Sequence, residues 1–325
     1  MDFPQAQMIE VNGIELEVFT AGSGKPLVLC HGWPEHAYSW RHQIQPLVDA
    51  GYHVIAPNQR GYGKSTKPSE IVDYNINKMT GDLAALLDHF GYKDACFIGH
   101  DWGAIVAWTT VLLHPSRFTA LIAMSVPYGG RVAQSPMESW QEAFGENFFY
   151  ILYHNEPGGI AEAEYDADPR GLISRLYLSP NSPRVQPAIT DPLRSAGGWI
   201  GRLGAPMGLP DWLLQEDLDY VVSQFENSGF RGGMNYYRNF HRNWEITEHL
   251  QGAKIKIPVL FIAGSRDMVI AGAEKESLTA TISRATEDLR DVVLIPEIGH
   301  WVQQEAPKEV NQAISDFLTE IHANP

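Results

Sequence analysis

Cysteine, basic residues and long apolar runs are all scarce in this chain of 325 residues. The two cysteines, Cys30 and Cys96, lie in apolar strand-like runs, so we expect buried reduced thiols and neither a disulfide framework nor a cysteine metal site. No apolar run approaches the roughly 18 residues that a membrane span needs. The start, M-D-F-P-Q-A-Q, lacks the basic and apolar regions of a secretory signal. We therefore expect a cytoplasmic protein.

The charge balance is strongly acidic. The chain has 24 Lys and Arg against 39 Asp and Glu, a net charge of −15. This sign repels phosphate backbones and anionic lipid, so nucleic acids and anionic membranes are excluded as expected partners. At 44% hydrophobic and 11% aromatic residues, the chain has enough apolar material for a large folded core.

Nothing in the sequence calls for a metal or a cofactor. No H-E-x-x-H string or cysteine pairing is present. Two strings end like a phosphate-binding loop, one at Gly63-Lys64-Ser65 and one at Gly24-Lys25. That motif requires a glycine five residues before the second one, and Asn58 and Phe19 occupy those positions.

Hydrophobic periodicity divides the chain into a core and an insertion. Short β-branched runs alternate with helix-period stretches in the first third and return near the end, where residues 307–321 form a predicted closing helix. This pattern predicts a mostly parallel sheet with helices on both faces, built from residues 1–130 and 246–325. Between them, residues 131–245 are predicted to form a helical lid, and residues 180–210 within it hold six Pro and five Gly, which predicts an irregular excursion.

The string G-H-D-W-G-A follows a predicted strand at residues 95–98. It has the form of a nucleophile elbow with Asp101 at the reactive position, because a sharp strand-to-helix turn needs small neighbours such as Gly99 and Gly103. The helix N-terminus would stabilise the negative charge of Asp101. The alternative from this string alone is an Asp that merely caps the helix.

A second loop, His31-Gly32-Trp33-Pro34-Glu35, follows the buried strand P-L-V-L-C. Beside an elbow, the backbone N–H groups of Trp33 and Trp102 would point at one developing oxyanion. Glycine and proline also mark ordinary turns, but the position directly after a strand favours the functional interpretation. A cis peptide bond between Trp33 and Pro34 fits such a turn.

His300 lies in a loop after the predicted strand D-V-V-L-I-P, and Asp267 ends the preceding strand. The order Asp101, Asp267, His300 gives nucleophile, acid and base in the order of the α/β-hydrolase fold. No carboxylate stands after the strand T-A-L-I-A-M-S-V-P, where some relatives carry the acid, which strengthens Asp267. His100 is expected to support the elbow rather than react.

Together the strings H-G-W-P-E, R-G-Y-G-K-S, G-H-D-W-G and G-H-W resemble the epoxide hydrolase branch of the α/β-hydrolase superfamily. Two lid strings, Y-I-L-Y-H-N-E-P-G from Tyr150 and G-F-R-G-G-M-N-Y-Y-R-N ending past Tyr237, resemble the segments that carry the ring-opening tyrosines of soluble epoxide hydrolases. By this resemblance the pair is Tyr150 and Tyr237, with Tyr153 and Tyr236 as competitors. Trp33 stands where many relatives carry Phe, and the single-domain bacterial, fungal and plant types are the better comparison.

The resemblance implies a reaction. Asp101 would attack a small apolar epoxide, the two tyrosines would protonate the opened oxygen, and His300, oriented by Asp267, would activate water to hydrolyse the ester to a vicinal diol. The alternatives are a haloalkane dehalogenase, in which Trp102 would hold a halide, and a non-catalytic ligand-binding protein of the same fold. Many dehalogenases have Asn at the position of Trp33, and binding proteins usually lose a triad member. The sequence leaves a homodimer and the identity of the epoxide open.

Overall fold

One sheet organises the computed structural model, which describes residues 3–323. Its strands in chain order are β1 (Ala6–Val11), β2 (Ile14–Gly22), β3 (Lys25–Cys30), β4 (Tyr52–Asn58), β5 (Ala95–His100), β6 (Phe118–Met124), β7 (Val259–Gly264) and β8 (Leu289–Ile295). The spatial order is β1-β2-β4-β3-β5-β6-β7-β8. The pairs β1–β2 and β2–β4 are antiparallel, and all later pairs are parallel. The predicted mostly parallel sheet is confirmed.

The α-helices within the described residues are, in chain order, α1 (Ile44–Asp49), α2 (Ile76–His89), α3 (Trp102–Leu113), α4 (Pro136–Phe144), α5 (Tyr150–His154), α6 (Ile160–Ala167), α7 (Pro169–Leu176), α8 (Gln215–Ser228), α9 (Arg231–Arg238), α10 (Phe240–Ile246), α11 (Lys275–Ile282), α12 (Val302–Glu305) and α13 (Pro307–Ala323). Short 3-10 turns occur at Ala37–Trp40, Ile71–Tyr74, Arg194–Ala196, Ile200–Arg202 and Glu248–Leu250. No helix in residues 3–323 is long and apolar enough to cross a membrane.

Helices cover both faces of the sheet, because successive strand side chains point to opposite sides. In β3, Leu27 and Leu29 pack into one hydrophobic cluster with buried residues of α1 and α13. Val28 and Cys30 pack into the other, together with α2, α3 and the inserted helices. Both cysteines are free and buried, as their position in apolar runs predicts.

The segment between β6 and β7 contributes no strand to the sheet among the residues described, and α4 to α10 lie within it. The aromatic-rich stretch from Glu138 to Tyr153 forms two helices, because α4 ends at Phe144 and Gly145 follows with φ +55°. A positive φ interrupts a right-handed helix and is readily adopted by glycine. Residues 180–210, which we call the excursion, contain only 3-10 turns and isolated bridges.

The parallel strands bring the predicted motifs to one edge of the sheet. Residues that follow β3, β5, β7 and β8 lie at the carboxyl ends of neighbouring parallel strands, where ligands bind in open α/β sheets. The loops that carry Trp33, Asp101, Asp267 and His300 all begin there.

Candidate active site

Asp101 occupies a sharp turn between β5 and α3. Its backbone has φ 51° and ψ −117°, a combination that is strained for a residue with a side chain. A Cβ on Gly99 would overlap the carbonyl of Gly103, and one on Gly103 would overlap the carbonyl of Cys30. Close packing therefore excludes larger side chains at both neighbours and holds the turn tight.

The loop after β3 lies against the Asp101 carboxylate. The backbone N–H of Trp33 donates a 2.7 Å hydrogen bond to Oδ1 of Asp101, and the Trp33–Pro34 peptide is cis. Trp102 is the first residue of α3, so its N–H has no acceptor within its own helix. The structure thus brings together the two residues predicted to form an oxyanion site.

His300 lies between two carboxylates. Its Nε2 is 3.6 Å from Oδ2 of Asp101, and its Nδ1 is 3.0 Å from each carboxylate oxygen of Asp267. Asp267 is 1% exposed. The three predicted residues therefore form a continuous Asp101–His300–Asp267 arrangement.

Burial and charge oppose each other at this histidine. Burial alone lowers the pKa of His300, but the charges of Asp267 and Asp101 and the hydrogen bond with Asp267 outweigh it and hold the pKa well above the ordinary value. At Asp267 burial has the opposite effect and raises the pKa, but the charge of His300 outweighs burial, so the pKa of Asp267 is lowered overall. In the resting protein the site therefore favours an imidazolium between carboxylates.

Tyr150 and Tyr237 lie on separate helices of the insertion. Tyr150 begins α5 and Tyr237 is near the end of α9, yet their ring centroids are 6.0 Å apart. The Tyr237 ring also makes edge contacts with Trp33 and Trp102, at 5.6 and 5.1 Å between centroids. Both tyrosines thus belong to one aromatic cluster beside the loops that carry Trp33 and Asp101.

The two competing tyrosines have their hydroxyls bound elsewhere. Tyr153 donates a 2.9 Å hydrogen bond to Oε2 of Glu164, and Tyr236 donates one of 2.9 Å to the carbonyl of Arg60. These hydrogen bonds distinguish Tyr153 from Tyr150 and Tyr236 from Tyr237, two choices that the sequence alone leaves open.

The local electrostatics keep both pocket phenols protonated. Burial, followed by the charge of Asp101, raises the pKa of Tyr150, and the same two causes in the same order raise that of Tyr237. A protonated phenol can donate a hydrogen bond to an oxygen that gains negative charge. The geometry and the ionisation state are therefore those of two proton donors facing a carboxylate.

Glu35 is a site residue that sequence reasoning missed. It is fully buried, and its Oε2 accepts a 2.9 Å hydrogen bond from the Gly32 amide and lies 2.7 Å from Nδ1 of His100. Nε2 of His100 lies 2.8 Å from the carbonyl oxygen of His300. The chain Glu35–His100–His300 therefore connects three of the four loops of the site, those that follow β3, β5 and β8. The signal available in the sequence was a carboxylate directly after H-G-W-P.

Glu305 in α12 holds the backbone on both sides of His300. Its Oε2 accepts from the Gly299 amide at 3.2 Å, and its Oε1 accepts from the Trp301 amide at 3.1 Å. Burial raises the pKa of Glu305. The helix-period pattern around Glu305 gives no hint of this contact, because its partners are defined by a loop.

No group of three or more His, Cys, Asp or Glu side chains that could hold a metal ion occurs within residues 3–323. The titratable groups of the site are instead arranged for nucleophilic and acid–base chemistry. Asp101, on a strained backbone, lies beside a backbone N–H donor, His300 is paired with Asp267, and two phenols lie near them.

Known proteins with similar sequences share this architecture. A family model described as the alpha/beta hydrolase fold matches residues 25–156. Epoxide hydrolase A of Mycobacterium tuberculosis is 47% identical over 322 residues, which cover 98% of each protein. Epoxide hydrolase 1 of Siraitia grosvenorii is 36% identical over 313 residues, or 95% of this chain and 96% of the relative. The crystal structure of Epoxide Hydrolase A from Mycobacterium thermoresistibile superposes with a TM-score of 0.89 at 47% identity, covering 97% of this chain and 98% of the other.

Proposed function

Because this chain belongs to the epoxide hydrolase family of the α/β-hydrolase superfamily, we propose that it opens epoxides to vicinal diols through a covalent ester on Asp101. The observation that carries the proposal is the packing of Tyr150 against Tyr237, with ring centroids 6.0 Å apart, beside the rings of Trp33 and Trp102. A haloalkane substrate would give these two phenols no role.

In the first step, Oδ2 of Asp101 attacks an epoxide carbon in line with the carbon–oxygen bond that breaks. The electron pair of that bond stays on the ring oxygen, which takes a proton from one tyrosine and a hydrogen bond from the other. The tyrosine regains its proton from solvent. A phenol suits this task because its ordinary pKa of about 10 keeps it protonated at neutral pH, while it is far more acidic than an alcohol.

Ester formation changes the charges that act on the tyrosines. Asp101 is the second cause of the raised pKa at both phenols, and it becomes neutral as its oxygen bonds to carbon. The phenols therefore become better acids at the moment the alkoxide forms, which favours proton transfer in the transition state.

The same change prepares His300 for the second step. The charge of Asp101, 3.6 Å away, helps to raise the pKa of His300. Loss of that charge lowers the pKa, so the imidazolium releases its proton to solvent and becomes a neutral base. It then removes a proton from a water that attacks the ester carbonyl, while Asp267 orients the ring through Nδ1.

The ester carbonyl has a ready donor. With the new bond on Oδ2, Oδ1 becomes the carbonyl oxygen, and the Trp33 amide already lies 2.7 Å from it. We assign the Trp102 amide as the second donor. Charge that develops on Oδ1 during water attack would be stabilised by both groups. Collapse of this intermediate breaks the acyl carbon–oxygen bond, the departing oxygen takes a proton from His300, and the diol is released as Asp101 is regenerated.

We propose a small apolar epoxide and water as the substrates, and a cytoplasmic location without a metal, cofactor, nucleic acid or membrane partner. We assign residues 131–245 as the lid, because both tyrosines come from it while Asp101, Asp267 and His300 come from the loops of the sheet. The aromatic rings of Trp33 and Trp102, which contact Tyr237, support an apolar substrate.

The direct test is turnover of the purified protein with styrene oxide and, separately, with a 1-haloalkane of similar size. We expect a vicinal diol from the epoxide and no halide release from the haloalkane. Asp101→Asn, a nearly isosteric change, should abolish diol formation while the melting temperature stays close to that of the parent. Halide release without diol formation would overturn the proposal in favour of a dehalogenase.

A further inference from the structure

Tyr150 depends on support from the irregular excursion. Its ring stacks on Trp199, with centroids 4.8 Å apart and planes 15° apart. Trp199 also stacks on Trp33, at 5.8 Å and 11°. Trp199, which comes from a region without α-helix or strand, thus contacts both the proposed proton donor Tyr150 and the loop residue Trp33, whose amide binds Asp101.

Trp199 is itself fixed by a carboxylate from α6. Oε2 of Glu164 accepts a 2.9 Å hydrogen bond from the Trp199 amide, and Oε1 accepts one of 3.0 Å from the Ile200 amide. A Cβ on Gly198 would overlap this carboxylate, so the chain passes directly over it. The Tyr153 hydroxyl completes the contact with Glu164, which gives that tyrosine a role outside the proposed proton transfer.

The backbone just before Tyr150 is tied to the same part of the excursion. The Phe148 amide donates to the Pro192 carbonyl at 2.7 Å, and the Arg194 amide donates to the Glu146 carbonyl at 2.9 Å. The guanidinium of Arg202 lies 4.3 Å from the centre of the Phe148 ring. Residues 191–202, which we call the brace, therefore contact the Tyr150 segment at its backbone and at its ring.

Tyr237 is held differently. It lies within α9, is 3% exposed, and packs edge-on against Trp102 of the core and His154 of α5. None of these brace contacts involves it. Trp199 thus stacks directly on Tyr150, whereas it is connected to Tyr237 through Trp33 and His154, whose rings contact both residues.

From these contacts we infer that Trp199 is a positioning residue for the ring-opening step, acting through Tyr150, and that Glu164 acts through Trp199. The inference rests on the proposed function. The stacked ring limits the tilt of Tyr150 and so fixes where its hydroxyl meets the epoxide oxygen. A misplacement of about 1 Å in a catalytic group can lower a rate on the order of 10²-fold. Loss of the stack should therefore slow ester formation, which uses Tyr150, more than ester hydrolysis by His300, which does not.

A double-mutant cycle tests this route. His300→Gln serves as the parent, because ester that forms cannot be hydrolysed efficiently, and its appearance can be timed by mass spectrometry after mixing with styrene oxide. Trp199→Ala, Tyr150→Phe and the combination are each added to this parent. We expect Trp199→Ala to slow ester formation by about tenfold to a hundredfold, and to cause little further loss once the Tyr150→Phe change is in place.

Two further changes separate positioning from general damage to the fold. Glu164→Ala should reproduce the effect of Trp199→Ala, and Glu164→Gln, which keeps an acceptor oxygen, should restore part of the rate. Trp199→Phe keeps a stacking ring and should retain most of the rate. The Glu164 variants also provide the test if Trp199→Ala does not fold. The matched control is Trp244→Ala in α10, whose ring contacts are with His241 and Arg131, and it should leave the rate unchanged.

The outcomes distinguish the two proposals. If the His300→Gln parent forms no ester, the proposed function fails and the inference fails with it. If the parent forms ester but Trp199→Ala leaves the rate unchanged, or slows it by the same factor with and without the Tyr150→Phe change, the positioning role is overturned and the proposed function stands.

Discussion

The amide nitrogen of Trp33 lies 2.7 Å from Oδ1 of Asp101. This contact makes the two oxygens of the carboxylate inequivalent, because Oδ2 instead faces Nε2 of His300 at 3.6 Å. The oxygen bound by the amide is suited to become the ester carbonyl, and the other is suited to attack. One hydrogen bond present in the resting protein thus prepares both chemical steps of the proposed reaction.

Removing the lid phenols should affect ring opening. Tyr150→Phe or Tyr237→Phe alone should slow ester formation, because the remaining hydroxyl still stabilises the alkoxide. The double variant should lose on the order of 10²–10⁴-fold, the usual contribution of general acid catalysis. Single-turnover measurements with an aryl epoxide report the step directly, and a double variant with nearly the parent rate would remove the tyrosines from the mechanism.

The neighbouring tyrosines supply matched controls. Tyr236→Phe removes a hydrogen bond to the Arg60 carbonyl without removing a pocket donor. We expect it to lower the melting temperature by a few degrees, because a buried acceptor loses its partner, and to leave the ester-formation rate within about threefold of the parent. A larger loss of rate in Tyr236→Phe than in Tyr237→Phe would show that Tyr236, and not Tyr237, is the proton donor.

His300→Gln should separate the two halves of the reaction. Glutamine cannot act as a general base near neutral pH, so ester should form but hydrolyse about 10²–10⁴-fold more slowly. Intact-protein mass spectrometry should detect a gain of one substrate mass, and peptide mapping should locate it at Asp101. An unmodified protein that still binds substrate would contradict the covalent route.

The charge of Asp101 should control the ionisation of His300. The charge of Asp101 is among the causes that raise the pKa of His300, so Asp101→Asn, which mimics the neutral ester, should lower that pKa. The neutral imidazole would then persist to more acidic pH than in the parent. NMR titration of ¹³C-labelled histidine, with His300→Gln used for assignment, measures the shift. An unchanged or raised pKa would refute the proposed switch from imidazolium to base.

The sequence predicted the fold and the positions of the loops because those features depend on local signals. The small residues Gly99 and Gly103 identify the elbow, since a turn this tight leaves no space for a side chain. Short continuous apolar runs such as P-L-V-L-C identify buried strands. The roles of Asp101, Asp267 and His300 were then predicted from the strands that their loops follow, which are β5, β7 and β8. The mostly parallel sheet with flanking helices is what the structure contains.

Other parts of the site depend on contacts between distant segments. Tyr236 and Tyr237 are adjacent on one helix, and only the Arg60 carbonyl distinguishes their hydroxyls. Glu305 is recognisable only from the two amides it binds on either side of His300. Trp199 lies in a Pro- and Gly-rich excursion where periodicity carries no information, so its stack on Tyr150 could not be predicted.

The covalent ester on Asp101 is the central claim, and a single turnover in ¹⁸O-water with enzyme in excess tests it most directly. Hydrolysis at the ester carbonyl breaks the acyl carbon–oxygen bond, so the oxygen added to the diol comes from Asp101 and the oxygen from water remains in the carboxylate. The ester route predicts an unlabelled diol and ¹⁸O in the peptide that contains Asp101. Label in the diol of the first turnover, with none in that peptide, would contradict it and indicate direct attack of water on the epoxide.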